Sequence, residues 1–355
     1  MVAAAVAPPR VLEIAHNRSA VYDLAPELFN RVDFALRPDA PWQLREARAL
    51  TWWPCALRQR IEALEPRDDR GVPATRLVAR TPIARDVADV GHALLMAAAS
   101  NQAATLSSVV VDVAGASVGL VLAASVRPKA RVWLLPMLAD AIGLQIAVAG
   151  NASIDAMAAG FGGVPDLVPH PEAGPRPDGH PVLAMVEQAQ RDGLAVVRMP
   201  ETDFRRSVGD LSSLGIPAVS DGTRLEVGVT APVLGGDARV VVECATHPGF
   251  GNGLLVFVET PLTLAPAAGP AIANELNRAD IADRAGGLAL GAWTPAAVGD
   301  LAGLAHVMFL PNLLLPRAPE ADRRARLVNL VVDAVLRVQW LDQIWPAIAG
   351  SARRV

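Results

Sequence analysis

One structural unit occurs twice in this chain, and this repetition constrains the fold more than any other feature of the sequence. In each copy a strand-like run that ends in Thr-Pro precedes a helical stretch with an asparagine: residues 76–82 lead to Asn101, and residues 255–261 lead to Asn277. Apolar strand-like runs, a proline and a long apolar helix follow each asparagine. The spacing of roughly 180 residues lies within the size range of a domain. Duplicated domains bury a shared face and offer a composite surface, so the pattern favours binding over catalysis.

The spacing of apolar residues predicts the same kinds of element in both copies. The first copy is expected to contain strands within residues 42–83, a helix at 86–101, strands at 107–113 and 117–126, and a helix at 131–148. The second copy is expected to contain helices at 181–192 and 202–214, a three-stranded meander within 223–264, a helix at 270–280, strands at 287–294 and 305–315, and a long amphipathic helix at 320–348. These elements predict an α+β protein with two related domains, each an antiparallel sheet packed with helices.

A proline-rich segment separates the copies. Residues 151–179 contain five prolines and several glycines, a composition typical of a semi-extended and poorly packed linker. We therefore predict a first domain at 10–150, a linker at 151–180 and a second domain at 181–350. His170 and His180 fall in this segment without neighbouring acidic or thiol ligands, so they are expected to be exposed loop histidines rather than a metal site.

Composition narrows the classes of partner. The net charge is -4 and no basic-aromatic array occurs, so nucleic acid is not an expected partner. Residues 109–126 form the most apolar run, but Asp112, two glycines and many β-branched residues predict two buried strands rather than a membrane span. Cys55 and Cys244 match no metal spacing and fit a reducing cytoplasm.

No sequence motif indicates catalysis. The chain has no phosphate-binding loop, dinucleotide fingerprint, nucleophile elbow or cysteine cluster, so we expect no catalytic residues, no cofactor and no metal. The most reactive pair is Cys244 and His247, and a nucleophilic cysteine requires a nearby base and an orienting group. The glycines that follow, with Asn252-Gly253, favour a tight hairpin turn instead.

The strongest motif lies in the second copy. Residues 273–278, Ala-Asn-Glu-Leu-Asn-Arg, end a helix and lead to an apolar strand. They resemble the asparagine-containing helix end of bacterial YbjN-like domains, which share a fold with type III secretion chaperones: helix, three-stranded meander, helix, two strands, helix. The order of elements between Pro181 and Ile348 is similar, whereas the first copy retains only Asn101. The resemblance implies protein or peptide binding, or a regulatory role, and no established catalysis.

The asparagines of this motif have two interpretations. Asparagine is unfavourable within a helix but closes helices well, because its amide satisfies loose backbone groups. Asn274 and Asn277 therefore predict either a structural cap that holds the helix to the next strand or a polar anchor for a bound backbone.

Tryptophans provide further candidate binding residues. Trp52 and Trp53 are adjacent, so in a strand they face opposite sides. Trp340 and Trp345 lie near the end of the last helix. Tryptophan is enriched at binding hot spots and is also an ordinary core residue, so each position has both interpretations.

The leading functional hypothesis is a cytoplasmic, non-catalytic chaperone or adaptor. It would hold a protein or peptide client on a sheet edge or in an apolar groove, and a homodimer is one assembly to test. The alternative is a small-molecule-sensing regulatory protein with a pocket between the two copies. A third hypothesis is a cysteine-dependent enzyme centred on Cys244 and His247.

Overall fold

The secondary structure follows the predicted order of elements closely. The computed structural model describes residues 23–64, 67–69, 72–151, 154–184, 188, 199–283, 287–298, 301–311 and 320–352. The α-helices are α1 (Ala25–Leu36), α2 (Val90–Asn101), α3 (Arg131–Asn151), α4 (Ile154–Gly160), α5 (Glu201–Ser213), α6 (Gly269–Asp283) and α7 (Glu320–Ala352). Parts of the predicted helix at 181–192, and the start of the first domain before residue 23, lie outside the described residues.

The strands form two antiparallel sheets. They are β1 (Gln43–Arg45), β2 (Ala49–Trp52), β3 (Gln59–Ala63), β4 (Arg67–Asp69), β5 (Val72–Arg85), β6 (Ser108–Asp112), β7 (Ser117–Val126), β8 (Val164–Pro165), β9 (Ala218–Ser220), β10 (Arg224–Ala231), β11 (Gly236–His247), β12 (Gly251–Leu264), β13 (Leu288–Ala289), β14 (Ala292–Val298) and β15 (Leu301–Pro311). The first sheet has the order β1-β2-β3-β5-β7-β13, with β4 and β8 paired to β5 and β6 paired to β7. The second has the order β14-β15-β12-β11-β10-β9. The predicted α+β class with two sheet-containing domains is confirmed.

The two halves share one topology. The order β2-β3-β5-β7-β6 in the first sheet corresponds to β10-β11-β12-β15-β14 in the second. In each half a helix precedes a meander with three central strands, which are β2, β3 and β5 in the first half and β10, β11 and β12 in the second. A second helix leads into a two-stranded hairpin, and a long helix follows. The apolar run at 109–126 forms the hairpin strands β6 and β7, as the glycines and β-branched residues predicted.

Each half also contributes backbone to the sheet of the other. β13 comes from the second half but pairs with β7 of the first, and the Ser125 N–H donates to the Gly287 carbonyl (3.1 Å). Conversely, the Phe309 N–H on β15 donates to the carbonyls of Ala104 (3.0 Å) and Thr105 (3.3 Å) in the first half. One cluster of buried apolar side chains runs through both halves. The halves are therefore joined by shared sheets as well as by a shared core.

The predicted linker contains ordered structure that packs against the first half. Residues 154–182, which we call the connector, include α4 and β8, and β8 pairs with β5. The Trp53 Nε1–H donates to the Val168 carbonyl (2.6 Å), and Arg176 Nη1 donates to the Trp53 carbonyl (2.9 Å). His170 and His180 are buried rather than exposed. The prolines limit helix and strand formation in the connector, but apolar and aromatic contacts pack it against the first half.

The burial of His180 gives a testable dependence of stability on pH. The Val182 N–H donates to its Nδ1 (3.1 Å) and its Nε2 lies 3.1 Å from the Arg37 carbonyl, so the ring is held in its neutral form with the proton on Nε2. Burial lowers the pKa of His180 below the value of about 6.5 for an unfolded histidine. As the pH falls, His180 is therefore protonated at a higher pH in the unfolded chain than in the folded chain. We expect the free energy of unfolding to decrease below about pH 6.5, by up to about 1.4 kcal/mol per pH unit from this group.

Urea denaturation between about pH 7.5 and about pH 5 checks this expectation. His180→Gln should show a shallower decrease in stability than the wild type, because it removes the titrating ring. His92→Gln, at an exposed position, controls for the loss of an imidazole ring as such. Equal slopes for wild type and His180→Gln would contradict the assignment.

Candidate functional site

Asparagine side chains bind the main chain of β6 in the first sheet and of β14 in the second, which we call the inner edges of the two sheets. The Val109 N–H donates to Asn101 Oδ1 (2.8 Å), and Asn101 Nδ2 donates to the Val109 carbonyl (2.9 Å). Asn277 bonds Trp293 in the same way, at 2.7 and 3.0 Å. These amides bond main-chain N–H and C=O groups of β6 and β14 that point away from the sheet, as the main chain of a neighbouring strand would.

Asn274 makes the same pair of bonds across the two halves. The Val111 N–H donates to Asn274 Oδ1 (2.8 Å), and Asn274 Nδ2 donates to the Val111 carbonyl (3.0 Å). Asn274 and Asn277 are both buried. The backbone that they bind thus belongs to the protein itself, which agrees with the structural interpretation of the motif. Their role as anchors for a client stays a prediction.

The first half has no equivalent of the Asn274 bond, because both the asparagine and the main-chain N–H that it would bind are missing. Asn274 precedes Asn277 by three residues, and the residue three before Asn101 is Ala98. The strand residue that it would face is Pro295, which has no N–H to donate. The Thr294 hydroxyl instead donates to the Ala98 carbonyl (2.9 Å). The missing asparagine therefore coincides with a missing backbone donor.

The structure separates the four tryptophans of the sequence prediction into two groups. Trp52 is 0% exposed and donates to Gln59 Oε1 (2.8 Å), and Trp53 is 3% exposed under the connector. Trp340 and Trp345 on α7 are half-buried and pack against the core. Only the second pair therefore presents part of a ring at the surface, and a binding role for any of the four stays a prediction.

The outer edge of the first sheet is open among the described residues. β1 is the terminal strand of its sheet order. The Glu46 N–H donates to the Ala49 carbonyl (2.9 Å) at the β1–β2 turn. Because bonded and non-bonded pairs alternate in an antiparallel ladder, Leu44 faces β2, whereas the N–H and C=O groups of Gln43 and Arg45 point away from the sheet. This edge offers unpaired backbone groups that the inner edges do not.

A cleft runs beside this edge. It has a volume of about 610 Å³ and is lined by Asp33, Arg37, Pro38, Gln43 and Arg45. Arg45 Nη2 donates to Asp33 Oδ2 (2.5 Å), and Gln43 Nε2 lies 3.5 Å from the Pro38 carbonyl. Gln43 Oε1 is buried and has no hydrogen-bond partner within the described part of the chain. The cleft thus combines a free strand edge with a net positive charge.

The outer edge of the second sheet is less suited to a ligand. β9 has three residues, and its central Val219 is 69% exposed. The Ser220 hydroxyl folds back onto the Arg224 carbonyl (2.7 Å). This edge is open, but the cleft described above does not extend to it.

A second, half-enclosed cavity lies between the halves. Its volume is about 210 Å³. The first half contributes most of the lining, including Val109. The connector adds Met157 and Phe161, and the second half contributes His247 and Phe250 at the β11–β12 turn. The cavity is therefore composite, and its walls are mainly apolar.

The predicted cysteine–histidine pair is not arranged for nucleophilic catalysis. Side chains three residues apart on a strand point to opposite faces, which separates Cys244 from His247 on β11. His247 Nδ1 accepts the Gly249 N–H (3.0 Å), and its Nε2 lies 3.1 Å from the Ala103 carbonyl. Both ring nitrogens are therefore engaged by backbone. The other thiol, Cys55, has its pKa raised by burial, which disfavours the reactive thiolate.

A buried ionic cluster, which sequence reasoning missed, holds the exchanged strand β13. Arg337 is 1% exposed, and its Nε lies 3.2 Å from Asp280 Oδ2. Its Nη1 contacts the His306 ring, and its Nη2 donates to the Leu288 carbonyl. The Leu288 N–H donates to Asp333 Oδ1 (2.9 Å). Charged side chains thus fix both main-chain groups of the first residue of β13.

Comparisons of the chain with family models, with curated proteins and with solved structures found no match. Within the described residues, no group of three or more histidine, cysteine or acidic side chains is arranged to hold a metal ion.

In the part of the chain that the structure describes, no individual helix has both the length and the hydropathy of a membrane span. The pair formed by Trp133–Ala149 and Ile154–Gly160 reaches these limits only when joined across an 83° bend.

Proposed function

We propose that this protein is a non-catalytic chaperone or adaptor of the cytoplasm that binds an extended peptide segment of a client along β1. The observation that carries the proposal is the free outward backbone of Gln43 and Arg45 beside the cleft that these residues line. An extended peptide can add a strand to an exposed sheet edge, with main-chain hydrogen bonds for affinity and pockets for alternate side chains.

The charge of the cleft indicates the chemistry of the client. Arg37 and Arg45 face the cleft with one carboxylate, Asp33, which is already paired to Arg45. We therefore expect acidic side chains in the client segment, because they would compensate the remaining positive charge.

The closed inner edges also support this choice of surface. Asn101, Asn274 and Asn277 occupy the outward backbone groups of β6 and β14, which leaves the outer edges for strand addition. The order of elements in each half supports the resemblance to YbjN-like and secretion chaperone domains. Both cysteines are free thiols, which is compatible with the reducing cytoplasm.

The short edge predicts weak binding. Two outward residues offer about four main-chain hydrogen bonds, each with a net contribution of about 0.5–1.5 kcal/mol. This total falls short of the roughly 8 kcal/mol that micromolar affinity requires, even before the peptide is ordered. We therefore expect dissociation constants weaker than about 1 μM.

A displayed library of extended peptides, selected on the wild-type protein, tests the proposal. The selected peptides should be acidic and should slow amide hydrogen exchange at Gln43 and Arg45. The Leu44 amide, which faces β2, is the internal control and should change little. Arg45→Pro removes an outward N–H that the sheet itself does not use, so it should abolish binding with little loss of stability.

Two results would contradict the proposal. One is equal binding of the selected peptides by wild type and Arg45→Pro. The other is slowed exchange at a different surface, with Gln43 and Arg45 unchanged. If sedimentation shows that the free protein is a dimer and Arg45→Pro makes it a monomer, the edge binds a second copy of this chain instead of a client.

A further inference from the structure

The cavity between the halves lies where the second half places a tryptophan. Asn101 bonds both main-chain groups of Val109, and Asn277 bonds both main-chain groups of Trp293. These equal bonds make Val109 and Trp293 equivalent positions of the repeat. A side chain at either position faces the buried helix side of its sheet, since both belong to the main apolar core.

The strand partners of these residues also differ between the halves. Trp293 lies opposite His306, and their rings meet edge to face with centroids 5.2 Å apart. Val109 lies opposite Leu120. Both Val109 and Leu120 line the cavity of about 210 Å³. The first half thus has a cavity at the position where the second half has the side chain of Trp293.

The lining excludes a charged ligand. The walls include Ile83 and Val148 from the first half, Met157 and Phe161 from the connector, and Phe250 from the second half. A thioether and two phenyl rings make favourable contacts with an aromatic ring.

Three of the polar side chains that line the cavity already have partners. The Asn101 amide is bonded to Val109. Both ring nitrogens of His247 contact backbone, and the Ser107 hydroxyl accepts from Gln145 Nε2 (3.3 Å). None of these groups is free to compensate an ion, so a neutral molecule fits best.

We propose that this cavity binds a small, neutral aromatic molecule of about the size of indole. An apolar cavity of about 150 Å³ in another protein binds benzene, and this one is larger. The proposal develops the small-molecule alternative that the duplicated sequence suggested. It is independent of the peptide site on β1, which lies on a different surface.

Titration calorimetry with indole itself provides the first test. The wild type should show saturable binding. Val109→Trp places in the cavity the side chain that the second half carries at the equivalent position, so the affinity for indole should fall at least about tenfold. The control is Val219→Trp, at an exposed position on β9, which should bind indole like the wild type.

A second measurement locates the ligand without relying on a variant. With methionine methyl groups labelled, nuclear Overhauser contacts should connect indole protons to the Met157 methyl group, and Met157→Leu assigns that signal. This result decides the proposal even if Val109→Trp fails to fold. No saturable binding to the wild type, binding without a contact to Met157, or unchanged binding by a folded Val109→Trp would each overturn the proposal.

Discussion

Asn274→Ala should lower the free energy of unfolding by about 2–4 kcal/mol. The substitution removes both partners of the Val111 main chain, and Val111 is fully buried in β6. A buried donor or acceptor left without a partner costs about 1–3 kcal/mol. Alanine is more favourable than asparagine within a helix by roughly half a kcal/mol, which offsets a small part of this loss. Urea denaturation of the two proteins measures the difference.

Two variants serve as controls for this prediction. Asn252 is half-buried at the β11–β12 turn and bonds the Thr246 hydroxyl, so Asn252→Ala should change stability by less than about 1 kcal/mol. Ala98→Asn introduces the missing asparagine of the first half, but Pro295 has no N–H to donate, so it should not stabilise the protein. A loss below about 0.5 kcal/mol for Asn274→Ala would show that water replaces these bonds.

Local sequence patterns were sufficient to predict the fold class and the order of elements. Apolar periodicity depends on residues close in sequence, and both hairpins and both long helices followed from it. The asparagine motif also predicted a link between a helix and the next strand, which Asn277 makes to Trp293. The bond from Asn274 to Val111 spans the two halves. A partner so distant in the chain has no local signature.

The exact correspondence of the repeats was not predictable from the Thr-Pro pairs. The sequence aligns Pro82 with Pro261, yet Pro82 lies opposite Gly119 on β7, whereas Pro261 falls within an irregularity of β12 between Glu259 and Thr263. The structural equivalent of Pro82 is Glu259, two residues earlier. A shift of two residues keeps every side chain on the same face of a strand, so the apolar pattern cannot detect it.

The candidate peptide site was also hidden from the sequence. A strand becomes an edge only through the arrangement of the whole sheet, and β1 is too short for a periodic signal.

The enrichment of tryptophan at binding sites led to the prediction of Trp52 and Trp53 as binding residues, but the connector and the core bury both side chains. Proline content indicated a loose linker because composition does not reveal aromatic contacts such as that of Trp53 with His170 (4.7 Å between ring centroids).

Arg337→Met should cost about 3–5 kcal/mol, the largest effect that we expect from a single substitution. Removing one partner of a buried ion pair takes charge compensation away from the other, here Asp280. The Leu288 carbonyl would lose the same guanidinium. The stem of methionine can fill much of the space, so the loss should arise mainly from these polar groups rather than from a cavity.

The location of the loss distinguishes this mechanism from general destabilisation. β13 should loosen first, so amide exchange should accelerate at Ser125, whose N–H donates to the Gly287 carbonyl beside β13. Arg324→Met is the matched control. Arg324 lies on the same helix as Arg337 and pairs with Asp210 of α5 (2.7 Å), with 30% and 43% of the two side chains exposed. A solvent-accessible pair contributes about 0–1 kcal/mol. If Arg337→Met destabilises the protein no more than Arg324→Met, the ionic cluster does not hold the exchanged strand. If the loss is large but exchange at Ser125 is unchanged under native conditions, the cluster stabilises only the second half, and the two halves are joined by their apolar core and the asparagine bonds.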